Sequence, residues 1–310
     1  MGKIAFLFAG QGAQYTGMGK DLYEYSPSVK ELFDTAETIY NDIKKICFES
    51  SLEVLSDTLN TQPALFCMGL ACARALEENG INADMCAGFS LGEVPAVNFC
   101  GMLDFESCFK MVIKRAELMN ECALKNKGAM AAVIGVDYNT LNEILKQYDN
   151  LYAVNFNCNG QIVVAGSEKS IDELILYLKQ NKMRVIKLNV SGAFHSPFMK
   201  EAGEKMAKYL DKVNFTKGII PLYSNMTSKL YEDTDVYKIN LSKQIYSPVL
   251  WIDEIINMQK AGAEIFIEVG AGKVLSGLVK KILPDSIILN VTDKNSLLNT
   301  INYLKGENNA

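Results

Sequence analysis

The chain predicts an α/β fold carrying an inserted subdomain of ferredoxin-like βαββαβ order. Three observations carry this reading: an apolar N-terminal run that ends in glycines (KIAFLFAGQG), a strand, turn and helix pattern around GFSLGE, and a middle third in which strand and helix periodicities alternate.

Taken in order, residues 3–9 read as a buried strand closed by a glycine turn, and 61–80 as a buried helix stopped by Gly80. A short strand at 84–87 runs into GFSLGE and another helix. GAMAAVIGV (128–136) is then a strand and 138–149 a helix, while LYAVNFN and QIVVAG are strands joined by a CNG turn. Residues 170–182 form a helix with Ile171, Leu174, Ile175 and Leu178 on one face; Ser170 and Glu173 supply a capping box, and RVIKLNV (184–190) is the closing strand. The order divides the chain into a discontinuous large unit, 1–124 and 192–310, and a small unit, 125–191. Beyond the insertion, Ser196 and Pro197 open a helix whose Phe198, Ala202, Met206, Tyr209 and Leu210 share a face. IFIEVGAG (265–272) and SIILNV (286–291) are the remaining strands, and the tail GENNA reads as disordered.

Composition narrows the functional classes. With 310 residues and 49% hydrophobic content the chain can build a deep site. A net charge of −5 argues against nucleic acid, which needs a basic surface to release counterions. Eight cysteines without a CxxC pair disfavour a zinc ribbon or dithiol redox site and read as buried reduced thiols. No apolar run reaches the length of a membrane span, and the N-terminus lacks the form of a secretory signal, so a cytoplasmic location is expected. Gly2 does not make a myristoylation site, because Phe6 stands where Ser or Thr is required.

GFSLGE fits G-x-S-x-G, in which flanking glycines let the chain turn sharply from strand to helix and push the serine oxygen outward. Ser90 is thus the candidate nucleophile. A serine hydroxyl needs a base to take its proton, and the chain has one histidine, His195, in VSGAFHSPFM. A helix N-terminus just after it would help keep the imidazole neutral. Arg115 has Met111, Val112, Leu118 and Met119 as helical neighbours, with Cys108 and Cys122 a turn further each way. A buried guanidinium needs a partner, either a core Asp or Glu or the carboxylate of a substrate. The AGQGAQ loop (9–14) can aim backbone N–H groups into a cleft. It is not a dinucleotide loop, since Tyr15 occupies the last glycine position, and GAGKV (270–274) fails the phosphate-loop spacing.

Together FAGQGAQ, TQPALF, GFSLGE, KRAELM, GAMAAVIG, NFNCNGQIVVAG, VSGAFHSPFM, QIYSPVLW and EVGAGKVLSGL resemble the bacterial malonyl-CoA:acyl carrier protein transacylases, motif by motif and in order, from about residue 3 to 282. The resemblance implies an α/β-hydrolase-like large domain with the ferredoxin-like insertion. It implies Ser90 as nucleophile, His195 as base, the backbone N–H groups of Gln11 and Leu91 as oxyanion hole, and Arg115 as the grip on the malonyl carboxylate. The backbone carbonyl of Gln244 would orient the imidazole, making a dyad without an acidic member. Gln62, Met119, Asn157, Gln161 and Asn225 fall near the pocket by the same similarity. Phe194 beside His195 is shared with malonyl-selective members and would crowd a methyl branch. Malonyl-CoA is the implied substrate, the carrier supplies the phosphopantetheine arm, and no permanently bound cofactor or metal is expected.

An acyl carrier protein is acidic, so a basic rim is expected; the resemblance implies Lys280 and Lys281, since similar basic residues follow the GKVLSGL motif in the family, with Lys200 a weaker candidate. The chain departs from the family in having Phe89 where His is common and Ala271 where Pro is common, and Pro95 early in a helix has no evident reason. A trans-acting polyketide acyltransferase shares the same residues. A hydrolase of neutral esters shares GxSxG but leaves Arg115 and the AGQGAQ loop unexplained, and no HGGG motif is present. A carrier-binding module without turnover would have no use for Ser90 and His195.

Overall fold

The structure, a computed structural model, describes residues 2–306. Two four-stranded sheets organise it. The first, in the order β2-β1-β7-β8, is parallel throughout and contains β1 (Lys3–Phe8), β2 (Met85–Gly88), β7 (Ala263–Val269) and β8 (Ile287–Val291). The second, in the order β4-β5-β3-β6, is antiparallel and contains β3 (Ala129–Ile134), β4 (Leu151–Cys158), β5 (Gln161–Gly166) and β6 (Arg184–Lys187).

A parallel sheet is covered on both faces, which is why β1 reads as an unbroken apolar run. Its side chains alternate: Phe6 and Phe8 enter a large helical core with Phe33, Phe66 and Phe109, while Ala5 and Leu7 pack on the other side with Trp251, Ile255 and Phe266. The second sheet is covered differently. Ala129, Ala131 and Val133 of β3 pack under the helices Tyr138–Leu145 and Glu168–Gln180, whereas Met130 and Ala132 face the large core. One face of this sheet is therefore left to border a cleft. Strand β4 is also tied outward, because Val249 N–H donates to Val154 O at 2.8 Å and Phe156 N–H to Val249 O at 3.0 Å.

The predicted strands and the helices over 61–80, 138–149, 170–182 and after Ser196 all occur, with shorter or shifted ends. The 61–80 helix runs Thr58–Glu78, and Gly80 follows at φ 78°. The capping box at Ser170 and Glu173 does not form. Ser167 is the cap, accepting from Ser170 N–H, because the chain leaves β5 at Gly166 and reaches helical geometry one turn earlier. Of the tail read as disordered, Glu307–Ala310 lie outside the described residues, and Gly306 ends the last helix in a left-handed conformation. Residues 20–56 add four short helices, Lys20–Tyr25, Pro27–Ile39, Ile43–Phe48 and Leu52–Ser56, that the sequence reading does not assign.

Pro95 now has a physical account. The helix after the serine turn begins at Glu93, so Pro95 lies in its first turn, the one place in a helix where proline is tolerated.

Candidate active site

Ser90 follows β2 at the start of a one-turn 3-10 helix, Ser90–Gly92, with φ 54°. The turn is so tight that glycine is obligatory on both sides. A Cβ on Gly88 would fall 2.1 Å from Gly92 C, and one on Gly92 would fall 2.1 Å from Phe8 O. Asn225 fastens the turn from behind: Ser90 N–H donates to its Oδ1 at 2.6 Å, and its Nδ2 donates to Gly88 O at 2.6 Å.

His195 arrives from the loop ahead of Pro197–Met199 and is 4% exposed, with φ 60°. Its Nε2 lies 2.7 Å from Ser90 Oγ and its Nδ1 lies 2.9 Å from Gln244 O. A carbonyl can only accept, so Nδ1 carries the proton and Nε2 offers its lone pair to the serine. Burial first, and the Arg115 charge second, lower the imidazole to about 4; hydrogen bonding to the backbone of Gln244 and Ser247 partly opposes them. The neutral form is thus favoured by burial and a neighbouring cation, and the helical turns Pro197–Met199 and Lys200–Leu210 begin just after the ring.

Arg115 sits mid-way along the helix Phe105–Lys125 and is 3% exposed. Its Nη1 donates to Gln62 Oε1 at 2.7 Å and its Nη2 to Gln244 Oε1 at 3.0 Å. Neither partner is charged, and no carboxylate lies within ion-pair distance of it among the described residues. Burial lowers it to about 10 and the charge of Glu93 opposes that shift, so the guanidinium remains a cation near neutral pH.

Ser90, His195 and Arg115 all line one cavity of about 310 Å³. Gln11, Leu91, Met119 and Phe194 line it as well, together with Met130, Asn155 and Leu188 from the second sheet's side. Asn157 and Gln161 do not reach it. They line an adjoining cavity of about 170 Å³ that shares Gln11, Phe89, Asn155 and Leu188 with the first. The Oδ1 atoms of Asn155 and Asn157 are buried without a partner. A larger depression outside the helix Pro27–Ile39 is an open surface that shares no lining residue with the Ser90 cavity.

Two of the sequence-predicted residues lie beside the cavity rather than in its lining. Asn225 does not face the cavity, since its amide is consumed by the backbone of the serine turn and by Glu254 Oε2 at 2.9 Å. Gln62 is fully buried behind Arg115, accepts from its Nη1 and is not among the cavity-lining residues. Lys280 and Lys281 are exposed on the last turn of the helix Val274–Ile282 and line neither cavity. Phe89, in place of the family's histidine, stacks edge-on against Trp251 with ring centroids 5.3 Å apart. Ala271 is buried in a loop that lies against Ala9 and Ala13 of the AGQGAQ segment.

Sequence reasoning missed the buried acids. Glu93 is fully enclosed: its Oε1 accepts from Tyr231 OH at 2.7 Å and its Oε2 from Gln244 Nε2 at 2.7 Å. Glu254 is equally buried. The signal for Glu93 was present, an acid flanked by Gly92, Val94 and Pro95 in an apolar helix, but an acid at a helix start also reads as an ordinary partner of the dipole.

The acyl transferase domain family model matches residues 5–293. The malonyl CoA-acyl carrier protein transacylase of Bacillus subtilis is 41% identical, over 99% of this chain and 99% of its own. The crystal structure of the Clostridium perfringens malonyl CoA-acyl carrier protein transacylase superposes with a TM-score of 0.94 at 35% identity, covering 98% of each chain. PlMCAT, solved with the type II PKS acyl-carrier protein AntF, superposes with a TM-score of 0.93 at 31% identity, covering 97% of this chain and 99% of that one. The chain belongs to the acyl transferase domain family and, within it, to the malonyl CoA-acyl carrier protein transacylases.

Proposed function

We propose that the protein transfers a malonyl group from malonyl-CoA to the phosphopantetheine thiol of an acyl carrier protein, through a malonyl ester on Ser90. The observation that carries this reading is Arg115, a buried cation held only by amide oxygens and lining the same cavity as the Ser90–His195 pair. Such a site favours an acyl group with a free carboxylate. A neutral acyl chain leaves the guanidinium desolvated and unpaired, at several kcal/mol.

In the first half-reaction Ser90 Oγ attacks the thioester carbonyl while His195 Nε2 takes its proton. Backbone N–H groups of Gln11 and Leu91 stabilise the oxyanion. Collapse of the adduct breaks the C–S bond, and the imidazolium returns the proton to the departing thiolate of coenzyme A. In the second half-reaction the carrier's thiol gives its proton to His195 and attacks the ester, releasing Ser90. Both ends are thioesters, so the overall transfer is close to thermoneutral and selection rests on the pocket. Met119 and Phe194 shape the acyl end, Phe194 crowding a methyl branch, while Asn157 and Gln161 serve the pantetheine arm from the adjoining cavity. The chemistry uses no resident cofactor or metal.

Lys280 and Lys281 are proposed as part of the carrier dock. The two units are proposed as a discontinuous α/β-hydrolase-like domain, 1–124 and 192–310, and a ferredoxin-like insertion, 125–191; the parallel sheet and the β4-β5-β3-β6 order support that division. Fatty-acid synthesis is the proposed pathway, and eight unpaired buried cysteines suit a reducing cytoplasm. Transfer to a polyketide carrier is the second reading, favoured by the likeness to PlMCAT in its carrier complex.

Intact-protein mass spectrometry after mixing with malonyl-CoA tests the scheme. A malonyl adduct is expected on the native protein and not on Ser90→Ala, and addition of holo-acyl carrier protein should discharge it. Discharge by water at the same rate without carrier would instead mark an esterase.

A further inference from the structure

We propose that Glu93 is a positioning residue for acyl selectivity: it fixes the direction of the Gln244 side-chain amide, which in turn presents Arg115 to the acyl cavity. The inference rests on the reading of Arg115 as the holder of a substrate carboxylate.

Gln244 occupies the end of the helix Thr234–Gln244 and is 1% exposed. Its amide is fully committed. Nε2 donates to Ser90 O at 2.6 Å and to Glu93 Oε2 at 2.7 Å, while Oε1 accepts from Arg115 Nη2 at 3.0 Å. Turned by half a rotation, the amide would set its oxygen against two acceptors, and its NH₂ against a guanidinium that can only donate. The native direction is therefore the only satisfied one, and a charged acceptor, Glu93, holds it most strongly. Glu93 is itself held from its other side by Tyr231 OH at 2.7 Å and Asn225 N–H at 3.2 Å. The chain Tyr231, Glu93, Gln244, Arg115 thus runs from the core to the cavity wall with every donor facing an acceptor. It also provides Arg115 with a counter-charge one amide away, a distance that leaves the guanidinium free to engage a second anion.

In Glu93→Gln the side-chain oxygen stays with Tyr231 and Asn225 N–H, because the backbone donor cannot turn. The new NH₂ then faces the NH₂ of Gln244. Whether Gln244 keeps its direction or turns, Arg115 loses a stable acceptor.

The experiment measures kcat and KM for transfer to holo-acyl carrier protein from malonyl-CoA and from acetyl-CoA, in native protein, Glu93→Gln, Arg115→Ala and the double variant. Glu93→Gln is expected to lower the malonyl-to-acetyl ratio of kcat/KM about tenfold, mostly through KM for malonyl-CoA. In the Arg115→Ala background the same change should shift that ratio by less than about twofold. Equal losses for both donors, an unchanged ratio, or a loss that persists without Arg115 would each reduce Glu93 to a prop of the serine turn and overturn the proposal. An unchanged ratio in Arg115→Ala alone would instead sink the carboxylate reading of Arg115. If Glu93→Gln does not fold, Tyr231→Phe frees the far side of the same carboxylate; a folded Tyr231→Phe with the native ratio then overturns the proposal, and a smaller loss of the same sign supports it.

Discussion

His195 donates from Nδ1 to the backbone carbonyl of Gln244 at 2.9 Å, so a peptide group rather than a carboxylate holds the imidazole facing Ser90. No anion sits there to raise the basicity of the ring, and burial lowers it to about 4. The imidazole is neutral, and able to accept a proton, above that value. At saturating malonyl-CoA, where an effect of Glu93 on KM does not show, the rate of Ser90 acylation should therefore stay level from pH 8 down to about 5 and fall about tenfold per unit below pH 4. Rapid-quench measurement of the acyl adduct across this range checks it; a midpoint near the ordinary histidine value of 6.5 would contradict the buried state.

Arg115→Ala removes the only cation lining the cavity among the described residues. Malonyl transfer should drop by about 10²-fold or more while acetyl transfer is spared or improved. Competition between the two CoA esters reads the change directly. Retained preference for malonyl would show that the guanidinium is purely structural.

Gly92→Ala places a methyl group 2.1 Å from Phe8 O, where backbone must move to admit it. Because both partners belong to the parallel sheet and the serine turn, the loss should exceed about 3 kcal/mol. Thermal melting is the measurement, and a melting temperature within a few degrees of native would mean that the turn can open.

Glu93 gives stability a pH dependence with a definite sign. Burial raises it from 4.5 to about 7, against the hydrogen bonds from Tyr231, Gln244 and Asn225 and the charge of Arg115, with Glu254 also close by. A raised folded value means that the native state binds the extra proton. Its contribution is complete below pH 4.5 and is lost as pH rises through 7. Glu93→Gln lacks this loss, so its melting temperature relative to native should increase between pH 5 and 8, by the equivalent of about 1–3 kcal/mol. His195 acts in the opposite direction between 4 and 6.5 but is common to both proteins and cancels. A pH-independent difference would show that Glu93 is ionised throughout.

Lys280 and Lys281, both exposed at the end of one helix, should matter to the carrier and not to coenzyme A. Replacing both with Glu is expected to raise KM for holo-acyl carrier protein about 3–10-fold at low salt, an effect that fades as salt is added. Unchanged KM would place the dock elsewhere.

What was legible in the sequence follows how each residue is constrained. Ser90 could be read because its turn admits only glycine on either side, His195 because it has no rival, and Arg115 because an arginine on an apolar helix face violates the pattern around it. The α/β class was legible through the succession of strand, turn and helix, and the second sheet through the βαββαβ order of the middle third. Asn225 and Gln62 fall near the site by sequence, but only the fold shows that their amides hold the serine turn and Arg115. Position along a chain says which residues are neighbours, and not which side of a turn an amide takes. Glu93, Tyr231 and Glu254 come from distant segments, and their meeting depends on packing that no local periodicity encodes. The cap at Ser167 was missed because two serines three apart both suit the role, and only the exit angle of β5 chooses between them.

Ser90 and His195 are two of the six described non-glycine residues at positive φ, a backbone state that an ordinary side chain holds at about 1–2 kcal/mol. At position 90 that burden belongs to the Cβ, whereas the contacts with Asn225 and Gln244 are made by backbone atoms and would survive its loss. Ser90→Gly should therefore melt at or above the native temperature while forming no acyl adduct. Here the inactive protein is the relaxed one, and the hydroxyl is kept by the reaction it performs and not by the fold that displays it.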